Sequence, residues 1–135
     1  MMALHAGFEC VADFPDDMIE EDGEIVVLGG RLIAGAMANK LRDAGLEVED
    51  PQLHALHGWE IQVSLGKRDS LVLVTDLGDF VTIQVIDTTP FWRRFGGGKA
   101  DFWAFVRTVH DLVVADPRFS RLEWMKGLEP AWAAA

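Results

Sequence analysis

The stretch from Gly58 to Asp87 constrains this chain more than any other. It contains three short runs rich in β-branched and aliphatic residues, each separated from the next by a tight turn that contains a glycine. Such a pattern predicts an antiparallel three-stranded meander. The runs are Trp59–Leu65, Ser70–Asp76 and Phe80–Asp87, and the turns are Gly66-Lys67-Arg68-Asp69 and Leu77-Gly78-Asp79.

The alternation of side chains along these runs predicts a sheet with two unlike faces. The first run has a dry side (Trp59, Ile61, Val63, Leu65) and a wet side (Glu60, Gln62, Ser64). Leu71–Val74 is apolar on both sides, which is typical of a central strand. We therefore expect helices to seal one face and the reverse face to stay partly apolar and free for another molecule. Either Val72 and Val74 or Leu71 and Leu73 lie on that free face.

Two segments show the one-turn spacing of apolar residues that is typical of amphipathic helices. The first helix is predicted over residues 31–44, after Gly29-Gly30, and the second over residues 101–115, capped by Asp101. The apolar stripes are Leu32, Ile33, Met37 and Leu41 in the first helix, and Phe102, Phe105, Val106, Val109, Leu112 and Val113 in the second.

Strands are also predicted at Gly7–Phe14 and Phe119–Met125, while Glu24–Leu28 is either a short strand or an extended lead into the first helix. The predicted fold is a two-layer α+β domain. An antiparallel sheet of about five strands, with the meander of residues 58–87 at its centre, carries two helices on one face. We expect one domain over residues 1–135, with an acidic loop at 15–24. The tail at 126–135 either frays or docks through Trp132.

Composition excludes several classes of function. The 135 residues carry a net charge of −10, which disfavours binding to nucleic-acid phosphates. Cys10 is the sole cysteine, so no disulfide within the chain and no multi-cysteine zinc site can form. No signal peptide and no bilayer-length apolar run are evident, so we expect a cytoplasmic protein that does not enter the membrane.

The acidic charge is concentrated near the N-terminus. Eight acidic residues and no lysine or arginine precede Arg31, whereas the rest of the chain is close to balance. Such a segment either solvates the chain or meets a basic protein partner and speeds that encounter. The candidate contact residues are Asp16, Asp17, Glu20, Glu21 and Asp22.

The connection before the second helix combines aromatic, basic and glycine residues. It reads Phe-Trp-Arg-Arg-Phe-Gly-Gly-Gly-Lys over residues 91–99. Aromatic residues and arginine dominate protein-interface hot spots, so a contact loop is one interpretation. In the other, the aromatics close the edge of the core and the arginines pair with neighbouring carboxylates. The candidate partner- or ligand-binding residues are Phe91, Trp92, Arg93, Arg94, Phe95 and Lys99.

The same loop has features of two anion-binding motifs. The nucleotide phosphate loop requires a glycine where Arg93 stands and a hydroxyl residue where Ala100 stands, so that motif fails. Arg93-Arg94-Phe95-Gly96-Gly97-Gly98 resembles the arginine-x-x-glycine-x-glycine loop of the acetyl-CoA-dependent N-acetyltransferase family. The resemblance implies a pyrophosphate held by loop amides, with Arg93, Gly96 and Gly98 as the matching positions.

No catalytic, metal or cofactor site is indicated. His54 and His57 have a ligand-like spacing near Asp50 and Glu60, but a complete ligand set is missing, and His110 stands alone beside Asp111. Cys10 falls in a predicted strand with no evident base. The many carboxylates form no recognisable acid–base pair.

These observations favour a non-enzymatic protein-binding module of bacterial-cytoplasm type, or a homodimer formed through the sheet face. In general layout the chain resembles secretion chaperones, and in size and charge toxin-neutralising immunity proteins. The alternative is a small domain or acetyltransferase-like enzyme that binds acyl-CoA or phosphate through Arg93–Lys99.

Overall fold

The fold is built around one antiparallel sheet. The computed structural model describes residues 4–54 and 58–134. The sheet has the order β4-β6-β7-β8-β1-β9, and β5 also pairs with β6; a separate two-stranded sheet joins β2 and β3. The bounds are β1 His5–Ala12, β2 Ile19–Glu21, β3 Glu24–Val27, α1 Arg31–Asp43, β4 Glu47–Val48, β5 Gln52–His54, β6 Gly58–Ser64, β7 Asp69–Asp76, β8 Val81–Asp87, α2 Lys99–Ala115 and β9 Phe119–Trp124.

The predicted meander is confirmed as strands β6, β7 and β8. Trp59 pairs with Val74 and Ser64 with Asp69, and β7 pairs with β8 over its whole length. At the start of β6, Gly58 has a φ of +118°, and a Cβ there would come within 2.3 Å of the Val74 carbonyl oxygen. Only glycine therefore allows the two backbones to approach so closely.

Both helices cover the same face of the sheet, and the predicted α+β class is confirmed. The sheet has six or seven strands rather than about five, because β4 and β5 are additional short strands at one edge. The helices and the sheet share one core; its largest fully buried side chains are Phe8, Phe102, Met37, Leu41, Ile61, Ile83, Val72, Val74, Val85, Val106, Val109 and Val113. Burying side chains of this size stabilises the fold by roughly 1.5–3 kcal/mol each before the entropy cost.

The helix starts differ from the expected capping. Helix α2 begins at Lys99, two residues before the predicted start, so Asp101 lies in its first turn and does not cap it. A carboxylate there still favours the positive end of the helix dipole. Helix α1 is capped from a distance, because the two carboxylate oxygens of Asp17 accept hydrogen bonds from the amides of Gly30 (2.9 Å) and Leu32 (2.7 Å).

A buried carboxylate connects the two helices. Asp116, which follows the last turn of α2, lies 3.0 Å from Nζ of Lys40 on α1 and 2.8 Å from Nη2 of Arg118. Hydrogen bonds from the Arg118 side chain, supported by Lys40, hold the pKa of Asp116 well below its ordinary value of 3.8. The ionised carboxylate is therefore the form that the fold stabilises.

The reverse face of the sheet is only partly covered. Val72 and Val74 point into the core, so it is Leu71 and Leu73 that lie on the reverse face, where they are half-buried. At the β1 end of this face, Met125 and Leu128 from the C-terminal segment lie close over Gly7.

The segment after β9 returns to the helix layer. Trp132 packs edge-on against Trp124 and His110, with the guanidinium of Arg107 4.4 Å from the centre of its ring. Within the described part of the tail, Trp132 thus contacts α2 and β9. Among residues 4–54 and 58–134, no helix is long and apolar enough to cross a membrane.

Candidate functional site: an anchored aromatic loop

The candidate site is the aromatic loop, residues 91–98, and its position is fixed by an arginine beneath it. Arg68 is the last residue of the turn between β6 and β7, and its side chain is 3% exposed. Its Nη1 donates to Oδ2 of Asp87 at 2.6 Å, at the end of β8. Its Nε donates to the Gly97 carbonyl at 2.9 Å, and its Nη2 to the Arg94 carbonyl at 3.3 Å. One guanidinium thus holds the meander and the loop together.

The carboxylate that balances Arg68 is itself fully engaged. Asp87 is buried, and its second oxygen, Oδ1, accepts hydrogen bonds from the hydroxyl and the amide of Thr89. The same hydroxyl accepts a hydrogen bond from the amide of Asp69 at 2.9 Å. A buried ion pair offsets the cost of its desolvation only when its remaining hydrogen-bonding groups are satisfied, as they are here.

The two arginines of the loop also bind the body of the protein. Arg93 Nη1 donates to Oδ2 of Asp69 at 2.8 Å, and its Nη2 to the Gly66 carbonyl at 3.2 Å. Arg94 Nε donates to the Thr89 carbonyl at 2.9 Å. The backbone from residue 91 to residue 96 forms a short 3₁₀ helix. Arginine thus fastens the loop from both sides.

The aromatic side chains of the loop point into solvent. Phe91, Trp92 and Phe95 are 60%, 77% and 74% exposed. Phe91 and Phe95 contact each other edge to face, with ring centres 5.4 Å apart. The expectation that these aromatics close the edge of the core is not met, whereas the expectation that the arginines pair within the chain is met for Arg93.

The glycines of the loop serve its packing. Gly98 precedes α2 with a φ of +93°, and a Cβ there would lie 2.8 Å from Cγ of Arg68 and 3.2 Å from Cβ of Lys67. Because Gly98 has no side chain, the loop can pack directly on the β6–β7 turn. Lys99 starts α2 and is exposed.

Two of the three loop positions that match the acetyltransferase pattern make contacts within the chain. Of the positions that match the acetyltransferase pattern, Arg93 is turned toward Asp69 and Gly98 is packed on Arg68. The arginine side chains that would attract a phosphate are committed to a carboxylate and to backbone carbonyls.

The acidic segment folds as a hairpin where a loop over residues 15–24 was expected. Asp22 and Gly23 form the turn between β2 and β3. Of the candidate contact residues, Asp17 is used as the cap of α1, and Asp16 accepts a hydrogen bond from the Met18 amide at 3.1 Å. The exposed carboxylates of the hairpin belong to Glu20, Glu21, Asp22 and Glu24.

The aromatic loop and the acidic hairpin lie at opposite ends of β7. Asp69, the first residue of β7, binds the loop through Arg93, whereas Asp76, the last, lies against Gly29 and Gly30 where the hairpin leads into α1. At about 3.3 Å per residue, these two ends of β7 are roughly 23 Å apart. The two candidate contact segments therefore form separate surfaces.

The histidines and the cysteine form no reactive site in the described chain. His57 lies outside the described residues, and His54 Nδ1 is 3.6 Å from Oε1 of Glu60. His110 is stacked on Trp124. Cys10 is buried, which raises the pKa of its thiol to about 11. Within residues 4–54 and 58–134, no group of three or more candidate ligands is placed to hold a metal ion.

The sequence alone does not indicate that Arg68, Asp87 and Thr89 anchor the loop. For Arg68 and Asp87, however, the alternation of the strands contains a signal. Val81, Ile83 and Val85 alternate onto the core face of β8, and Asp87 is the next residue in that register. Likewise, Arg68 lies two residues before Ser70 on the core face of β7. A charged residue in the register of a buried face needs a partner, and here each is the other's partner.

The fold and the loop define a two-layer α+β protein that displays an anchored aromatic surface. Comparison with protein-family models and with curated proteins gives no match for this chain.

Proposed function

We propose that the chain is a non-enzymatic protein-binding module that contacts its partner through Phe91, Trp92 and Phe95. The observation that carries the proposal is the exposure of three large aromatic side chains on one short segment whose backbone is fastened by Arg68. Aromatic side chains in a fixed arrangement are the usual anchors of protein interfaces.

The exposure of these apolar side chains to water is unfavourable in free energy, and burial at an interface would remove that penalty. Apolar surface gains roughly 25 cal/mol per Å² when it leaves water, so a large aromatic side chain gains several kcal/mol at an interface. The chain buries its other phenylalanines at least partly, apart from Phe80 at the β7–β8 turn. The exposed cluster is thus a local departure that supports a contact function.

Anchoring of the loop supports the same proposal. Association costs free energy when a mobile loop must be ordered, and a loop that is already fixed avoids much of that cost. The buried pair of Arg68 and Asp87, with Thr89, holds the loop before any partner arrives. The side chains of Arg93 and Arg94 are likewise held by hydrogen bonds to Asp69 and to the Thr89 carbonyl. The polar groups beside the three aromatic side chains are therefore fixed as well.

As part of this proposal, the protein works in the cytoplasm of a bacterium, in a role like that of an immunity protein or a secretion chaperone. The net charge of −10 and the absence of a cysteine pair support such a location. A second copy of the chain is an alternative partner, and light scattering at high concentration tests it.

The test is capture of the partner followed by measured affinity. A photo-crosslinking residue at Phe95 would capture the partner from a lysate of the source organism, and calorimetry would then measure binding to the purified partner. We expect Trp92→Ala and Phe95→Ala each to weaken binding by about 30-fold or more, because truncating a hot-spot residue costs about 2 kcal/mol or more. Leu77→Ala is the matched control: Leu77 is also exposed, but it lies at the opposite end of the sheet.

Three results would contradict the proposal. One is partner affinity unchanged in both loop variants. Another is binding of the loop to anionic lipid vesicles with no protein partner. The third is a large rise in melting temperature with acetyl-CoA or ATP that Arg93→Ala abolishes, which would indicate a ligand-binding domain.

A further inference from the structure

A second sheet, the β2–β3 hairpin, lies at the other end of the main sheet from the aromatic loop. Strand β2 pairs with β3 alone, and among the described residues neither strand joins the main sheet. An isolated two-stranded sheet is marginally stable in water, and a third strand stabilises it. Its outer edges are templates for pairing with another chain.

The hairpin exposes apolar side chains that the core does not use. Ile19, Ile25 and Val26 are 49%, 54% and 51% exposed, and Met18 just before β2 is exposed as well. Aliphatic side chains are favoured in strands when they pack against a neighbouring strand. In this hairpin they lack such a neighbour on the outer side.

The negative charge around these apolar side chains indicates which kind of segment would bind to the hairpin. Glu20, Glu21, Asp22 and Glu24 are exposed on the hairpin, and no lysine or arginine precedes Arg31 in the sequence. A complementary segment carries positive charge between aliphatic residues. A second copy of this chain does not offer such a segment, because none of its described strands contains more than one lysine or arginine.

A cleft at the foot of the hairpin has the same mixed character. It has a volume of about 280 Å³, and its walls include Phe14, Met18 and Phe80 together with the carboxylates of Asp16 and Asp79. A long basic side chain suits such a wall, since its methylene groups contact apolar surface while its charge meets a carboxylate.

We propose that the β2–β3 hairpin captures an extended segment of a partner protein in which lysines or arginines alternate with aliphatic residues. The segment adds to the hairpin as a third strand: backbone hydrogen bonds supply affinity, and the carboxylates select the basic sequence. This surface is independent of the aromatic loop, from which it is separated by the length of β7.

The experiment uses synthetic peptides as probes of the full chain. The first probe is a capped Lys-Val-Lys-Ile-Lys-Val peptide; the controls are Glu-Val-Glu-Ile-Glu-Val and the basic peptide with alternate amides N-methylated. We expect only the first to bind by fluorescence anisotropy, with chemical-shift changes confined to residues 18–28 and to the residues that line the cleft. Raising NaCl from about 50 to about 500 mM should weaken binding severalfold, because the charges are exposed.

Variants separate the two parts of the recognition. Ile25→Ser combined with Val26→Ser removes apolar contact and should weaken binding by about tenfold or more. Glu20→Gln with Glu24→Gln keeps the hairpin and should reduce the salt dependence. Val114→Ser, a similarly exposed aliphatic position on α2, is the matched control. Trp92→Ala should leave peptide binding unchanged, so failure of either proposal is seen separately.

The proposal is overturned if the basic peptide fails to bind at about 1 mM, which corresponds to roughly −4 kcal/mol. It is equally overturned if the acidic or N-methylated peptide binds as well as the basic one, or if the chemical-shift changes fall outside the hairpin and its cleft.

Discussion

Individual residues in this protein are placed where their chemistry is strongly constrained. Gly58 meets a carbonyl oxygen at a distance that excludes a side chain, and Arg68 extends from a turn into a buried network. Asp116 is buried beside two cations. Each of these residues lies at a junction between elements, so a substitution there acts on two elements together.

Replacing Gly58 by alanine should destabilise the fold. The positive φ alone costs about 1–3 kcal/mol for a residue with a side chain, and the contact with Val74 must also be relieved. Urea unfolding measures the loss.

Gly35→Ala is the control for this substitution. A Cβ at Gly35 meets nothing within 4 Å, so alanine should raise stability in helix α1 by about 0.5–1 kcal/mol. Equal stability of Gly58→Ala and the wild type would contradict the close approach of β6 and β7.

Asp116 should make stability depend on acid. Its pKa in the folded chain lies below the ordinary value of 3.8, so its contribution is fully present above that pH. The contribution is lost as the pH falls from about 4 through the lower, folded pKa. Urea unfolding between pH 7 and pH 2 should show that the wild type exceeds Asp116→Asn in stability at pH 7 and that the difference shrinks in acid.

A difference between these two proteins that stays constant with pH would show that Asp116 acts through packing alone. Asp111→Asn is the control, because that carboxylate is exposed on the outer side of α2.

At the scale of elements, the sequence predicts long periodic segments well and short ones poorly. The faces of β6, β7 and β8 follow from alternation, and both helices follow from their apolar stripes. Strands β4 and β5, with two and three residues, are too short to show a period. The acidic run at residues 15–24 predicts a solvated loop, and β2 has only three residues, too few to show a period. For Glu24–Leu28 the structure shows the strand alternative, as β3.

The candidate site was predictable in its residues but not in its arrangement. Aromatic and basic composition identifies residues 91–99, yet the partners of Arg93 depend on contacts between residues about 25 positions apart. The hydrogen bonds from Arg68 to the Gly97 and Arg94 carbonyls likewise join residues 29 and 26 positions apart. Such information arises only when the strands are assembled.

Arg68→Lys should release the aromatic loop without unfolding the protein. A lysine keeps the positive charge near Asp87 but cannot reach the Gly97 and Arg94 carbonyls in the same geometry. We expect amide hydrogen exchange over residues 91–98 to speed up by about tenfold or more, which corresponds to about 1.4 kcal/mol of local protection.

Exchange in β7 and β8 should change far less in this variant. Lys67→Arg, next to Arg68 but exposed, is the control. Unchanged exchange of the loop in Arg68→Lys would show that the 3₁₀ segment is held by other contacts.

At the scale of the whole molecule, charge and apolar exposure are divided between two ends. The end with the aromatic loop carries Lys67, Arg93 and Lys99, while the hairpin end carries a run of carboxylates. Strand β9 forms one edge of the main sheet. The left-handed φ of Arg121 makes this edge strand irregular, which discourages pairing with another sheet. The body between the two ends acts as a spacer with a defined length.

The cap of α1 gives the hairpin a mechanical link to the helix layer. Asp17 lies two residues before β2, and its carboxylate holds the first turn of α1 from outside that helix. A force that pulls on the β2–β3 hairpin would move the Asp17 carboxylate away from the amides of Gly30 and Leu32, which would then lose their hydrogen-bond acceptor. A force applied to the hairpin would thus cause the first turn of α1, a helix that covers the core, to fray.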